Sequence, residues 1–248
     1  MTNSAIPVEK QQKTMTKERQ FKGLSMAERQ QARREKLIEA GIQAYGTHGF
    51  FSVTVKDICT EAKLTERYFY ESFKKSEHLF QTIFLKLIDE LQQNVMQAIM
   101  QASADPKKMI DAGLTALLTT LKNNPQMARI IYIDAMLVQE LHNQATIQES
   151  MARFDRMIQA FVMLMMPSLQ HSERELSLIA SGLNGYVTQI AIRWVMSGFK
   201  QSMDEVLSAC SVVFISLLEH FSEAEPESSK KAWIPVIKLQ EKLNIWIF

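Results

Sequence analysis

The chain has 248 residues, 46% of them hydrophobic, and a formal charge of +1, so it can bury a substantial core and its net charge names no partner. Eight glycines and six prolines are too few for the turns of a β-sandwich or barrel, and two cysteines, Cys59 and Cys210, exclude a disulfide framework. The predicted class is all-α, in a reducing, cytoplasmic setting. The first thirty residues lack an apolar signal segment, and the longest aliphatic run, FVMLMM at 161–166, is too short to cross a membrane.

Charge is unevenly spread. Residues 1–80 carry 14 Lys and Arg against 10 Asp and Glu, whereas the remainder is mildly acidic. That asymmetry suggests an anionic partner at one end, although a solvated face produces the same pattern. Residues 1–25 are polar, basic and aperiodic, and read as a flexible arm.

Ser25 and Glu28 have capping-box spacing, and Leu37, Ile38, Gly41, Ile42, Ala44 and Tyr45 recur at helical intervals, so a long first helix runs to Gly46–Gly49. Thr54 precedes an apolar stripe of Val55, Ile58, Cys59 and Ala62, which predicts a helix of about two turns. After a break at Lys63–Leu64, Thr65 opens another short helix, TERYFYESF. At 100° per residue Phe69 and Phe73 share one face while Arg67 points nearly opposite, with Tyr68 and Tyr70 flanking. Two short helices in a tight turn, the second with a core face and a polar-aromatic outer face, predict a helix-turn-helix. Such a helix fits the major groove, where arginine can donate to both guanine acceptors. A plain helical bundle shows the same pattern, so geometry alone leaves DNA binding and packing both open.

Further on, Ser76–Glu77 begins a helix of about twenty-five residues, Pro106 and Pro125 each sit where a helix starts, and a later helix stops at Pro167. Residues 173–197 and 203–221 form two long amphipathic helices, followed by a polar break and a tail at 226–248. Ala180, Gly182, Gly185 and Ala191 would let these helices pair closely with a second copy, giving a four-helix interface. Five scattered histidines close on no metal, and no phosphate loop, nucleophile elbow or HExxH occurs, so no cofactor and no enzyme activity are expected. Fifteen methionines fit either an irregular core or an adaptable pocket.

Residues 34–80, REKLIEAGIQAYGTHGFFSVTVKDICTEAKLTERYFYESFKKSEHLF, resemble the DNA-binding domain of the tetracycline-repressor (TetR) family. The similarity rests on the glycine-aromatic HGF, on TVKDIC.EA.L, and on the aromatic-tyrosine pair and phenylalanine before the next helix. ASGLNGYVTQIAIRWVMSG and the helix after it resemble, more loosely, the family's dimer-forming pair. The resemblance implies a helix-turn-helix domain at 26–80 and a ligand-binding and dimerisation domain at 81–225. It implies double-stranded DNA, a homodimeric partner and a small apolar or amphipathic effector as ligands, with no membrane.

Carried over by position, Thr54 and Lys56 would contact DNA at the start of the second helix. Thr65, Arg67 and Tyr68 would face the groove, and Tyr70 a phosphate. Two positions depart from the family: Lys63 stands where glycine is usual in the turn, and Ser76 stands where a phosphate-binding lysine is usual, with Lys74 and Lys75 adjacent. For the effector, the candidates are Tyr132, Met136, Phe161 and Met165. The function expected is a transcriptional regulator, repressing from a near-palindromic operator. A ligand-independent DNA-organising protein and a helical interaction scaffold are the alternatives.

Overall fold

The computed structural model describes residues 25–138, 145–165 and 172–223. The arm and the C-terminal tail expected from sequence lie outside them, apart from Ser25.

Helix α1 spans Met26–His48 and starts on a complete capping box: the Ser25 hydroxyl accepts from the Glu28 amide at 3.2 Å, and the Ser25 amide donates to the Glu28 carboxylate at 2.7 Å. Leu37, Ile38, Ala40, Gly41 and Tyr45 form its buried stripe. It ends where the Gly49 amide donates to the Tyr45 carbonyl at 2.8 Å, with Gly49 at φ 86°. A single 3₁₀ turn, Phe50–Ser52, follows. Sequence periodicity could not register so short an element. It drives Phe50 inward, its ring 5.3 Å from Tyr45 and 4.9 Å from Phe80, and leaves Phe51 exposed.

Helices α2 (Val55–Glu61) and α3 (Glu66–Ser72) make the two short elements expected. Between them the Lys63 amide donates to Thr60 at 3.1 Å and the Leu64 amide to Cys59 at 2.9 Å, the paired bonds of a Schellman stop. Lys63 occupies its left-handed position, at φ 54°. Thr65 sits at the N-cap of α3 as expected, but its side chain makes no capping bond.

Helix α4 (Ser76–Gln101) is continuous through residue 80, and its buried stripe runs from Leu79 and Phe80 to Val95 and Met96. It packs against α1 on one side and against α5 (Pro106–Asn123) further along. Both predicted proline starts are found: Pro106 opens α5 behind Asp105, and Pro125 opens α6 (Pro125–Arg129). Helix α6 leads without interruption into a π turn, Ile130–Asp134, and a last turn α7 (Ala135–Leu137). Periodicity analysis at 3.6 residues cannot reveal a π turn, because one such turn shifts the register without breaking it.

Helices α8 (Ala145–Met165), α9 (Glu173–Met196) and α10 (Met203–Glu223) complete the described bundle. Helix α9 lies between α8 and α10, and α10 returns onto α5. One continuous apolar core joins α1–α3 to the bundle, with Trp194, Tyr45, Phe69 and Phe73 among its largest fully buried side chains. Burying such rings supplies about 1.5–3 kcal/mol each.

The small residues of α9 divide between two faces. Ala180 and Ala191 are fully buried within the chain, so the sequence expectation that they line an interface with a second copy is corrected. Gly182 and Gly185 point outward with nothing within 4 Å, on the exposed row that also carries Leu178 and Tyr186. Alanine suits a tight contact within a chain as well as between chains, and sequence spacing does not choose between them. No described helix is long and apolar enough to cross a membrane.

Candidate nucleic-acid interface and apolar cavity

The TERYFYESF stretch divides as its periodicity predicts. Phe69 and Phe73 are buried, with ring centroids 5.8 Å apart, while Arg67 has a side chain 85% exposed and Tyr70 is largely exposed. The phenylalanines lock α3 into the core, and Arg33 and Arg34 of α1 reach across to it. The Arg33 guanidinium lies 4.4 Å over the Tyr68 ring and 3.9 Å from Glu71, and that of Arg34 lies 4.6 Å over Phe73. Sequence reasoning missed these two arginines; their signal was the basic RR pair one turn before the apolar stripe of α1.

One face of Tyr68 is therefore covered, leaving it half-buried at the flank of the buried face, so only its other side is open to the groove that the resemblance assigned to it. Arg67 donates through Nε to Glu71 at 3.0 Å, an exposed i,i+4 pair that adds little stability but holds the guanidinium extended along the helix. Thr54 caps α2: its hydroxyl donates to the Asp57 carboxylate at 2.6 Å and accepts from the Asp57 amide at 3.3 Å. These bonds, first from the Thr54 side chain and then from its backbone, hold the Asp57 carboxyl below its ordinary range.

Lys56, Thr65, Lys74 and Lys75 are all exposed, Lys75 lying 3.7 Å from Glu77. Ser76 is half-buried and approaches the buried Tyr45 hydroxyl without closing a well-formed hydrogen bond. Burial pushes the Tyr45 phenol far above its usual value. Thus Thr54, Lys56, Thr65, Arg67, Tyr70, Lys74 and Lys75 are all exposed, and Ser76 is half-buried.

A second feature lies inside the bundle. Two small apolar cavities, about 80 and 110 Å³, share the walls Leu117, Phe154, Asn184 and Val187. Tyr132 and Met136 line the larger one and Phe161 the smaller, so three of the four predicted effector residues reach a cavity. The Met165 side chain lies outside the described residues. Sequence reasoning missed Asn184, whose signal was an amide within the apolar run of α9; its Nδ2 donates to Asp155 at 2.7 Å. Among the described residues no Lys, Arg, Asp or Glu lines either cavity. Tyr132 is buried and its hydroxyl is pushed far above its ordinary pKa by desolvation.

Among the described residues no group of three His, Cys, Asp or Glu is placed to hold a metal ion. Burial raises the Cys59 thiol and pushes that of Cys210 up to about 11, as befits packing thiols.

No family model matches the chain, and no curated protein matches its sequence. Its fold, however, is shared with solved structures. The fatty acid degradation regulator FadR from Bacillus halodurans superposes with a TM-score of 0.61 at 15% identity, over 75% of this chain and 94% of that one. A TetR-like transcriptional regulator from Rhodococcus sp. RHA1 matches with a TM-score of 0.56 at 15% identity, over 78% and 97%. A transcriptional regulator from Aquifex aeolicus VF5 matches with a TM-score of 0.56 at 15% identity, over 75% and 99%. The chain has the all-α fold of the TetR-like transcriptional regulators.

Proposed function

We propose that this protein is a DNA-binding transcriptional regulator that reads a near-palindromic operator as a homodimer and releases it when a small apolar or amphipathic molecule enters the bundle. The observation that carries this reading is the sidedness of α3. Phe69 and Phe73 fix it from within, Arg67 and Tyr70 stand in solvent, and Lys56, Lys74 and Lys75 of the flanking segments are exposed as well. Cations around an exposed arginine-bearing helix supply phosphate contacts that position and a guanidinium that specifies.

Residues 26–80 act as the reading head, and residues 81–225 carry the effector and the contact between copies. For the effector, the lining without Lys, Arg, Asp or Glu favours an uncharged or weakly polar ligand, oriented by the Asn184 amide. Each cavity is smaller than the few hundred Å³ a typical ligand fills, so binding would move the Leu117–Phe154–Val187 wall and join the two. That rearrangement gives a ligand something to select between conformers.

Selection of duplexes from a random pool, followed by binding at several salt concentrations, tests the reading. The expected result is an enriched near-palindrome bound with an affinity that falls steeply with salt through counterion release. Absence of any enriched sequence, with salt-independent retention, would overturn it.

A further inference from the structure

Arg129 and Asp134 are five residues apart, yet Nε of one lies 3.6 Å from Oδ2 of the other. On an α-helix, residues five apart are separated by about 140° around the axis, and only those three or four apart meet. The pair meets because the intervening backbone is the π turn Ile130–Asp134, which closes over i and i+5. The same closure sets Ile131 and Met136, also five apart, on the wall of the larger cavity. One widened turn thus presents one pair to the cavity and another to the end of α1.

What the second pair touches is the junction with the helix-turn-helix. A Cβ added at Gly49 would collide with the Arg129 guanidinium, so that side chain lies directly on the Gly49 backbone. Asp134 is 3% exposed and its carboxylate faces the Phe50 backbone. Arg129 Nε and Asp134 Oδ2 are both buried without a hydrogen-bond partner. Burial raises the Asp134 carboxyl, against the pull of Arg129. Such a pair is costly to hold and strongly disrupted by any change of register.

We propose that Arg129 and Asp134 form a clamp that fixes the end of α1 on the bundle, and that the clamp closes only in the π register, so that the cavity wall and the reading head answer to one turn of backbone. Bulk placed between Ile131 and Met136 drives the turn toward α geometry, swings Asp134 away from Arg129, and releases the loop at Gly49–Val53. This goes beyond the regulator reading, since it requires neither DNA nor an effector.

Hydrogen exchange on the full chain, free of both, tests it. The reporters are the Ser52 and Val53 amides, which bond within the loop to Gly49 and Phe50; the reference for global opening is the amide of Leu118 in α5. Asp134→Asn keeps the shape and removes the charge; Thr188→Phe adds a ring at the cavity wall shared with Ile131 and Met136. Both are expected to speed exchange at Ser52 and Val53 about tenfold or more while Leu118 keeps the parent rate. Thr188→Leu, a smaller addition, replaces the phenylalanine variant if that one does not fold. Parent rates at Ser52 and Val53 in the cavity variant would overturn the proposal, and so would equal acceleration at Leu118, which marks mere destabilisation.

Discussion

Arg67 is the residue on which specificity should turn. It is highly exposed, extended by its bond to Glu71, and held on a helix whose other face is locked. Replacing it with alanine is expected to weaken binding to a selected duplex by about 1–3 kcal/mol and to relax base preference at one position, because a bidentate contact is lost. Titration of parent and Arg67→Ala against matched and mismatched duplexes checks this; equal affinities would remove Arg67 from the groove. Lys63 makes a different kind of prediction. A non-glycine residue at φ 54° costs roughly 1–2 kcal/mol, and glycine gives back roughly 0.5–1 in unfolded-state entropy. Lys63→Gly should therefore stabilise the fold by about 0.5–1 kcal/mol in denaturant unfolding, and a loss of stability would show that the lysine stem contributes packing.

At the scale of the element, two joints decide whether the short helices are held. The first is the start of α2. Its Thr54–Asp57 box lowers the Asp57 carboxyl, so the stabilisation it gives is fully present above an aspartate's ordinary pKa and is lost as pH falls through the lowered one. Urea unfolding should accordingly find Asp57→Asn less stable than the parent at pH 7, with the difference shrinking in strong acid as the parent also loses its charge. A difference independent of pH would mean that shape, not charge, makes the cap. The second joint is the approach of α1 to α6. A Cβ at Gly46 would run into the Cβ and backbone Cα of Gln126, and backbone cannot move aside as a flexible side chain can. Gly46→Ala is expected to destabilise the chain by about 1–3 kcal/mol, as overpacked sites do, despite the better helix propensity of alanine. A neutral or stabilising result in thermal unfolding would show that the two helices can part at little cost.

For the whole molecule, the proposed homodimer requires two reading heads kept at a fixed distance. The exposed row of α9 carries Leu178, Gly182, Gly185 and Tyr186, and Val212 of the adjoining α10 is exposed as well. Tyr186 ties the two helices together by donating its hydroxyl to the Ala209 carbonyl at 2.9 Å. Pairing of this face about a two-fold axis would serve the proposed dimer, whose recognition helices have to lie one DNA turn apart, about 34–36 Å, to enter successive major grooves. Gly182→Glu probes that face cleanly: nothing lies within 4 Å of the site, and replacing glycine in a helix improves propensity by roughly 0.5–1 kcal/mol, so the single chain should stay folded. Sedimentation should then show a folded monomer with most operator affinity lost. A variant that remains dimeric and binds as the parent does would exclude this face. Ala191→Asp tests something else, since a charge at that fully buried position should unfold the chain rather than split a dimer.

The sequence by itself determined the helices and the sides of α3. Capping boxes, proline starts and 3.6-residue periodicity are local, and local backbone chemistry acts on neighbours only a few residues away. It also foretold that Phe69 and Phe73 would be buried and Arg67 exposed, since one helical face follows from spacing alone. Tertiary structure decided what spacing leaves degenerate. Ala180 and Ala191 turned into the chain's own core while Gly182 and Gly185 turned out, because which stripe of α9 meets α8 depends on packing between distant segments. It decided that Arg33 would cover Tyr68, and that Phe154, from α8, and Asn184, from α9, would wall the same cavities. The π turn belongs with these. Its extra residue is held by contacts at Gly49 and Phe50, some eighty residues earlier in the chain, and no local pattern records such a partner.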